Sequence, residues 1–284
     1  MTAKTIRLGL IGDNIAASQS PRLHGIAGRL CGLTVTYERL VPPQRNQTFE
    51  EVFAFCGAEG FTGINVTYPY KERVVSVLDV ADPAIRQIAA CNTVLFGTGT
   101  PRGFNTDYTG FVRGFRTAFG HDAVPGRVAM IGAGGVGKAV AFGLIELGCR
   151  HLNLFDRDEA RAKGLATAVS QAAPDLIVEV ASSADDAVEG ADGLINCTPL
   201  GMVGYAGSAV PESGLTGARW AFDAVYTPVN TEFLLAAKAA GLSIMSGYEL
   251  FFFQGVDAFH LFTGQDVDQA ALRLALKQGE GVSV

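Results

Sequence analysis

The sequence predicts an α/β protein of two domains: an N-terminal α/β substrate domain, then a Rossmann-type dinucleotide-binding domain, with C-terminal helices that return to the first domain. One stretch carries most of that reading. An apolar run, Val128 to Ile131, ends in the G-x-G-x-x-G turn Gly132-Ala133-Gly134-Gly135-Val136-Gly137, a small-residue helical pattern follows from Lys138 to Leu147, and a second apolar run, His151 to Phe155, ends at Asp156. This strand, turn, helix, strand and acid are the parts of a dinucleotide-binding βαβ unit. In that reading Gly132 makes the tight turn, Gly134 lets backbone N–H groups approach a pyrophosphate, and Gly137 lets the helix pack close to the strand. Asp156 stands where a carboxylate accepts both ribose hydroxyls of the adenosine half. A second observation is position: the unit starts far enough along the chain to leave a whole domain ahead of it. The third is that strands alternate with helices on both sides of it.

Composition narrows the class. A chain of 284 residues suits one large or two ordinary domains, and 48% hydrophobic residues supply their cores. A net charge of −6 without a basic stripe speaks against nucleic acid as a partner. The five cysteines form no C-x-x-C pair and the four histidines show no metal-ligand spacing, so free thiols and no metal site are expected. No apolar run approaches membrane-spanning length and no leader is evident, which gives a cytoplasmic expectation.

In chain order, Ile6 to Ile11 reads as a buried strand. Ser20 then reads as an N-cap before Pro21, opening a helix to about Leu30. Thr34 to Val41 alternates like a strand, Thr48 to Phe55 reads as a helix, and Phe61 to Val66 as a strand. Thr67 and Pro69 are expected to start another helix, with Lys71 in its first turn, a poor place for a cation on local grounds. Pro83 to Ala90 is a short helix, and Thr93 to Phe96 and Arg102 to Phe104 form a hairpin. Asn105-Thr106-Asp107 caps a helix from Tyr108 to Phe119. Beyond Asp156, helices are expected near 159–172, 184–189 and 231–240, and strands near 176–180, 193–196 and 220–225. The last two strands end at Cys197-Thr198-Pro199 and at Tyr226-Thr227-Pro228, the C-terminal strand ends where open α/β sheets bind ligands. Two final helices, near 248–262 and 268–277, have no strands to follow. The domain boundaries are therefore 1–107, 108–246 and 247–284.

Laid out this way, nearly the whole chain resembles the shikimate dehydrogenase family. The matching motifs are Ser18-Gln19-Ser20-Pro21-Arg22-Leu23-His24, Asn65-Val66-Thr67-Tyr68-Pro69-Tyr70-Lys71, Ala90-Cys91-Asn92-Thr93, and Gly103-Phe104-Asn105-Thr106-Asp107. Asn196-Cys197-Thr198-Pro199-Leu200-Gly201-Met202, Asp223-Ala224-Val225-Tyr226-Thr227-Pro228, and Gly247 with Gln254 complete the set. The resemblance implies hydride transfer at a ring carbinol, with Lys71 as acid/base paired with Asp107. It implies that Ser18 and Ser20 hold the substrate carboxylate with Tyr226 nearby, and that Thr67, Asn92, Asp107 and Gln254 meet ring hydroxyls. Beside the glycine turn, Asp156 and Arg157, it places Thr198, Met202, Val225 and Gly247 at the cofactor. Chemistry agrees with the lysine, because an ammonium stabilises and protonates developing alkoxide.

The chain also departs from the family pattern. A glycine is usual where Ala89 stands, and Gly-Met where Glu249-Leu250 stand. Asp156-Arg157-Asp158 replaces the Asn-Arg-Thr of NADP-using members. Asp156 would repel a 2′-phosphate and bind free hydroxyls, so the expected cofactor is NAD, with NADP less favoured. The expectation is an NAD-dependent enzyme interconverting shikimate and 3-dehydroshikimate, or the quinate or aminoshikimate equivalents, working on a small ring acid as a monomer or homodimer. The alternatives are an NADP-dependent biosynthetic member and a paralogue that senses a dinucleotide or shikimate without turnover.

Overall fold

The first five stretches read as strands build one sheet. In the structure, a computed structural model that describes residues 5–278, they are β1 (Thr5–Ile11), β2 (Thr34–Leu40), β3 (Gly63–Val66), β4 (Thr93–Leu95) and β5 (Arg102–Phe104). Their order is β2-β1-β3-β4-β5, the first three parallel and the last two an antiparallel hairpin. Between them lie α1 (Ser20–Leu30), α2 (Phe49–Ala58) and α3 (Pro83–Ile88). The second sheet contains β6 (Arg127–Ile131), β7 (His151–Phe155), β8 (Ile177–Val180), β9 (Gly193–Asn196), β10 (Trp220–Asp223) and β11 (Ser243–Met245), in the order β11-β10-β9-β6-β7-β8. Its helices are α4 (Thr106–Phe119), α5 (Gly135–Glu146), α6 (Glu159–Ala172), α7 (Ala184–Val188) and α8 (Glu232–Ala239), and α9 (Gly247–Thr263) and α10 (Gln269–Lys277) close the described chain. All pairings in this sheet are parallel, and the order reverses at the β6–β9 pair, as in a Rossmann sheet. No described helix is long and apolar enough to cross a membrane.

By compactness the chain forms two units. Of the described residues, one unit holds 5–106 and 255–278, and the other spans Asp107–Gln254. Residues 247–254, grouped with the C-terminal helices in the sequence reading, fall in the second unit.

In the first unit both sheet faces are covered. Ile6 and Leu8 pack with Ala258 and Phe262 of α9, so the end of the chain supplies part of this core. On the other face Ile11, Ile64 and Val66 pack with Phe49, Val52 and Cys56. Gly63 is required here, since a Cβ would lie 2.4 Å from the Phe262 ring. His24 is 1% exposed and stacks on Tyr37 with ring centroids 5.1 Å apart, with Phe259 and Phe262 also against it. Its Nδ1 has no partner, and burial lowers its pKa from 6.5 to about 3, only partly opposed by a hydrogen bond with Asn65.

Several local expectations are corrected. Ser20 is the first helical residue of α1 and not its cap; the cap position is Gln19, which makes no side-chain capping bond. Instead the Ser20 N–H donates to Ser18 Oγ at 3.3 Å. Lys71 is not in a helical turn, because the segment after β3 is a turn followed by a short 3₁₀ helix at Arg73–Val77. The physical reason is that the Lys71 carbonyl accepts from the Cys91 N–H at 2.8 Å, which ties this turn to the strand hairpin. Asp107 lies inside the first turn of α4 rather than capping it. Strand β11 has no counterpart in the sequence reading. Helix α5 begins at Gly135, inside the glycine turn.

Ala89 ends α3 in the left-handed region, φ 52° and ψ 37°. An L side chain costs about 1–2 kcal/mol there, and glycine returns part of that through its freer unfolded chain. The Ala89→Gly variant is therefore expected to be more stable by about 0.5–1 kcal/mol in urea unfolding. A loss of stability would contradict this conformation.

The five cysteines are free thiols. Cys56 and Cys91 in the first unit are buried, and desolvation pushes each thiol up to about 12. Cys149 in the second unit is buried and pushed up to about 11.

Candidate active site

In the first unit the residues of interest gather at one end of the sheet. Ile11, the last residue of β1, is in register with Val66 of β3, and Asn65 with Thr93 of β4. The loop after β1, the turn after β3 and the residue before β4 therefore meet there, bringing Ser18, Ser20, Thr67, Lys71 and Asn92 to the same end. The Ser18 and Ser20 hydroxyls are 3.2 Å apart, and both residues are half-buried. Arg39, at the end of β2, donates to the Ser18 carbonyl at 2.8 Å. The Thr67 N–H donates to the Ile11 carbonyl at 2.9 Å, and Gly12 leaves no room for a Cβ, which would sit 2.4 Å from Thr67 Cγ2.

Asn92 is buried inside a polar network. Its Oδ1 accepts from the Thr106 N–H at 2.7 Å, and its Nδ2 donates to Thr106 Oγ1 at 3.0 Å. It thus satisfies an amide at the N-terminus of α4 from a residue far back in the chain. Asn65 extends the network, donating to Thr93 Oγ1 at 3.0 Å and accepting from the Tyr37 hydroxyl at 2.8 Å. Asp107 follows Thr106 directly and is buried.

The second unit places the remaining residues at the C-terminal edge of its parallel sheet. Gly132 has φ 104°, and a Cβ there would lie 2.7 Å from the Cys197 carbonyl carbon, so the turn after β6 packs on the end of β9. A Cβ on Gly137 would lie 2.2 Å from the Gly132 carbonyl oxygen. Gly134 differs: a Cβ there meets nothing within 4 Å, which leaves its backbone open to a ligand. The amides of Gly135, Val136 and Gly137 lie in the first turn of α5, where N–H groups lack helical partners and favour phosphate. Asp156 at the end of β7 accepts from the Ala133 N–H at 2.7 Å and from the Asp158 N–H at 2.9 Å. Arg157 beside it is exposed. This set fits a dinucleotide: backbone donors for a pyrophosphate and a carboxylate for ribose hydroxyls.

Two loops flank the turn. Thr198 donates through its N–H and its hydroxyl to Asn196 Oδ1, at 2.9 and 2.7 Å, and the Met202 N–H donates to the Pro199 carbonyl at 3.0 Å. Val225 is buried, and Gly247 lies so close that its Cβ would be 2.5 Å from the Val225 carbonyl oxygen. Tyr226 stacks on Phe251 with centroids 4.9 Å apart, and Gln254 Nε2 donates to the Phe251 carbonyl at 3.0 Å, so these two meet through one ring residue.

Asn196 and Asp223 received no role from the sequence, although a buried polar residue ending an apolar strand is a signal. Asn196 Nδ2 donates to the Leu200 carbonyl at 3.0 Å and to Asp223 Oδ1 at 2.9 Å, joining the two loops. Asp223 also accepts from the Val225 N–H at 3.0 Å and from the Thr231 hydroxyl at 2.6 Å. Burial outweighs these donors and raises its pKa from 3.8 to about 6.

A Rossmann unit with an NAD-type acid, joined to an α/β unit presenting serines, a lysine and an asparagine, defines the class of two-unit nicotinamide-dependent dehydrogenases. Comparison with known proteins narrows it. The shikimate dehydrogenase substrate-binding domain matches residues 10–94, and the coenzyme F420-dependent NADP oxidoreductase family matches residues 127–215. A quinate/shikimate dehydrogenase (NAD(+)) of Corynebacterium efficiens is 38% identical over 279 residues, covering 96% of this chain and 98% of that one. A shikimate dehydrogenase (NADP(+)) of an Arthrobacter species is 35% identical over 95% of this chain and 94% of its own. Among solved structures, quinate dehydrogenase from Corynebacterium glutamicum in complex with NAD superposes with a TM-score of 0.88 at 35% identity, covering 96% of this chain and 99% of its own. The chain belongs to the quinate/shikimate dehydrogenase family. It is an oxidoreductase acting on CH–OH groups.

Proposed function

We propose that the protein interconverts shikimate and 3-dehydroshikimate, or the quinate pair, with NAD as redox partner. The observation that carries the cofactor half is Asp156, whose carboxylate lies against the glycine turn at the ribose position. The relatives described as NAD(+) enzymes support the same choice. Ser18 and Ser20 receive the ring-acid carboxylate with Tyr226, while Thr67, Asn92, Asp107 and Gln254 sort the ring hydroxyls. The backbone of Gly132 to Gly137, with Asp156, Arg157, Thr198, Met202, Val225 and Gly247, would hold the dinucleotide.

NAD, when bound, supplies the hydride acceptor. As hydride leaves the carbinol carbon, Lys71 Nζ takes the hydroxyl proton, and in the reverse direction it returns that proton to the alkoxide. Asp107 fixes the amine and meets the same hydroxyl. The free thiols suit a reducing compartment, in keeping with work in the cytoplasm.

The test is a spectrophotometric scan of NAD and NADP reduction over shikimate, quinate and amino-substituted shikimate. Turnover of a ring acid with kcat/KM higher for NAD than for NADP is expected. Absence of turnover would favour the sensing alternative, and equal NADP use would remove the role given to Asp156. The variant Asp156→Ser should move the NAD:NADP preference about ten-fold or more toward NADP, the size of one lost charge repulsion or charged hydrogen bond. Its absolute NAD efficiency should also fall, because the Ala133 amide loses its acceptor.

A further inference from the structure

The loop after β1 carries Ser18 and leads directly into Ser20, the first residue of α1, and it is held from outside. The Tyr70 hydroxyl donates to Asp13 Oδ1 at 2.6 Å, and the Asp13 N–H donates to the Tyr68 carbonyl at 3.2 Å. Tyr70 is 8% exposed and stacks on Phe49, centroids 4.8 Å apart and planes 17° from parallel. Burial and Asp13 together push its hydroxyl up to about 12, so it stays a donor throughout the working range. Tyr70 immediately precedes Lys71, whose carbonyl is itself pinned by the Cys91 N–H. One ring is thus fixed by packing, covalently next to the lysine, and hydrogen-bonded to the start of the serine loop.

We propose that Tyr70 is a positioning residue, and that its bond to Asp13 sets the carboxylate-binding loop against the Lys71 turn. This rests on the proposed function, and it adds a specificity element to it. A ring acid held by its carboxylate at Ser18 and Ser20 reaches the lysine only if the loop and the turn keep a fixed spacing. A shift of about 1 Å at such a site is enough to cost around 100-fold in rate. The hydroxyl supplies that spacing without touching the substrate.

The test uses the full chain and the variants Tyr70→Phe, Asp13→Ala and Asp13→Asn. Phenylalanine keeps the stacking and removes only the donor, while asparagine keeps an acceptor oxygen for the tyrosine. Tyr70→Phe and Asp13→Ala should each raise the ring-acid KM roughly 5- to 10-fold, with the NAD KM unchanged. Asp13→Asn should stay within about two-fold of wild type, and Tyr70→Phe/Asp13→Ala should be little worse than either single variant. Hydrogen exchange of amides 12–19 should quicken in Tyr70→Phe, a readout that needs no turnover. An unchanged exchange rate overturns the inference whatever the substrate, as does a Tyr70→Phe variant whose ring-acid KM stays at the wild-type value. If wild type turns over no ring acid, the proposed function fails, while the exchange measurement still decides whether the tyrosine orders the loop.

Discussion

Replacing Lys71 by alanine is expected to lower kcat for ring-acid oxidation by at least about 100-fold while leaving both KM values nearly unchanged, the pattern of a lost acid/base acting in the transition state. Lys71 lies in a turn whose backbone is tied to Cys91, and the residue is half-buried. Removing its side chain therefore leaves the local frame in place. Under the proposed roles, Asp107→Asn is expected to damage kcat and the ring-acid KM together, because the variant removes both the partner proposed for the amine and a proposed substrate contact. The double variant should be little worse than Lys71→Ala alone, since groups working as one unit are not additive. Steady-state kinetics with shikimate and NAD decides the matter: near-normal turnover in a folded Lys71→Ala protein would remove this mechanism.

The second large effect is on stability, and it takes opposite signs in the two units. His24 in the first unit has a folded-state pKa of about 3 against an ordinary 6.5. Between those values the unfolded chain binds a proton that the folded one does not, so stability falls as pH drops below 6.5. Asp223 in the second unit has a folded-state value of about 6 against 3.8. Here the folded state holds the extra proton, so stability rises as pH falls through 6 toward 4. Each term reaches about 3 kcal/mol by pH 4, at roughly 1.4 kcal/mol per pKa unit. Relative to wild type, a His24→Phe variant should gain stability as pH falls from 6.5 to 4, and Asp223→Asn should lose it from 6 to 4. Urea unfolding at several pH values measures both. The single tryptophan, Trp220, is packed edge-on against Phe115 and reports the second unit by fluorescence. Variant curves parallel to wild type across this range would show that neither group titrates as described.

How much of this was legible in the sequence depends on how local the cause was. The β6–α5–β7 unit was readable because its parts are contiguous in the chain and one of its glycines is demanded locally, Gly137 against the Gly132 carbonyl, although Gly132 itself meets the distant Cys197. Asp107 was expected to cap α4 and lies in its first turn because the helix starts two residues earlier, at Thr106, whose amide is satisfied by Asn92, which no local pattern reveals. The helix expected around Lys71 fails because Cys91, a distant residue, takes the Lys71 carbonyl. Strand β11 has three residues and earns its place only by pairing with β10. The site followed the same rule. Residues in contiguous motifs could be named in advance, whereas Asn196, Asp223 and the Tyr70–Asp13 bond emerge only once strand ends are side by side.

The buried thiols have a practical consequence. A cysteine reacts with an alkylating reagent as its thiolate, and a sulfhydryl raised to about 11 or 12 and shielded from solvent is silent until its surroundings open. Cys56 and Cys91 keep that silence in one unit, and Cys149 in the other. Labelling followed by mass spectrometry thus gives each half of the molecule its own clock for local opening. A bound dinucleotide should slow the Cys149 clock, and a ring acid the Cys56 and Cys91 clocks, so that occupancy of each half could be read from the rate at which a sulfur atom becomes visible.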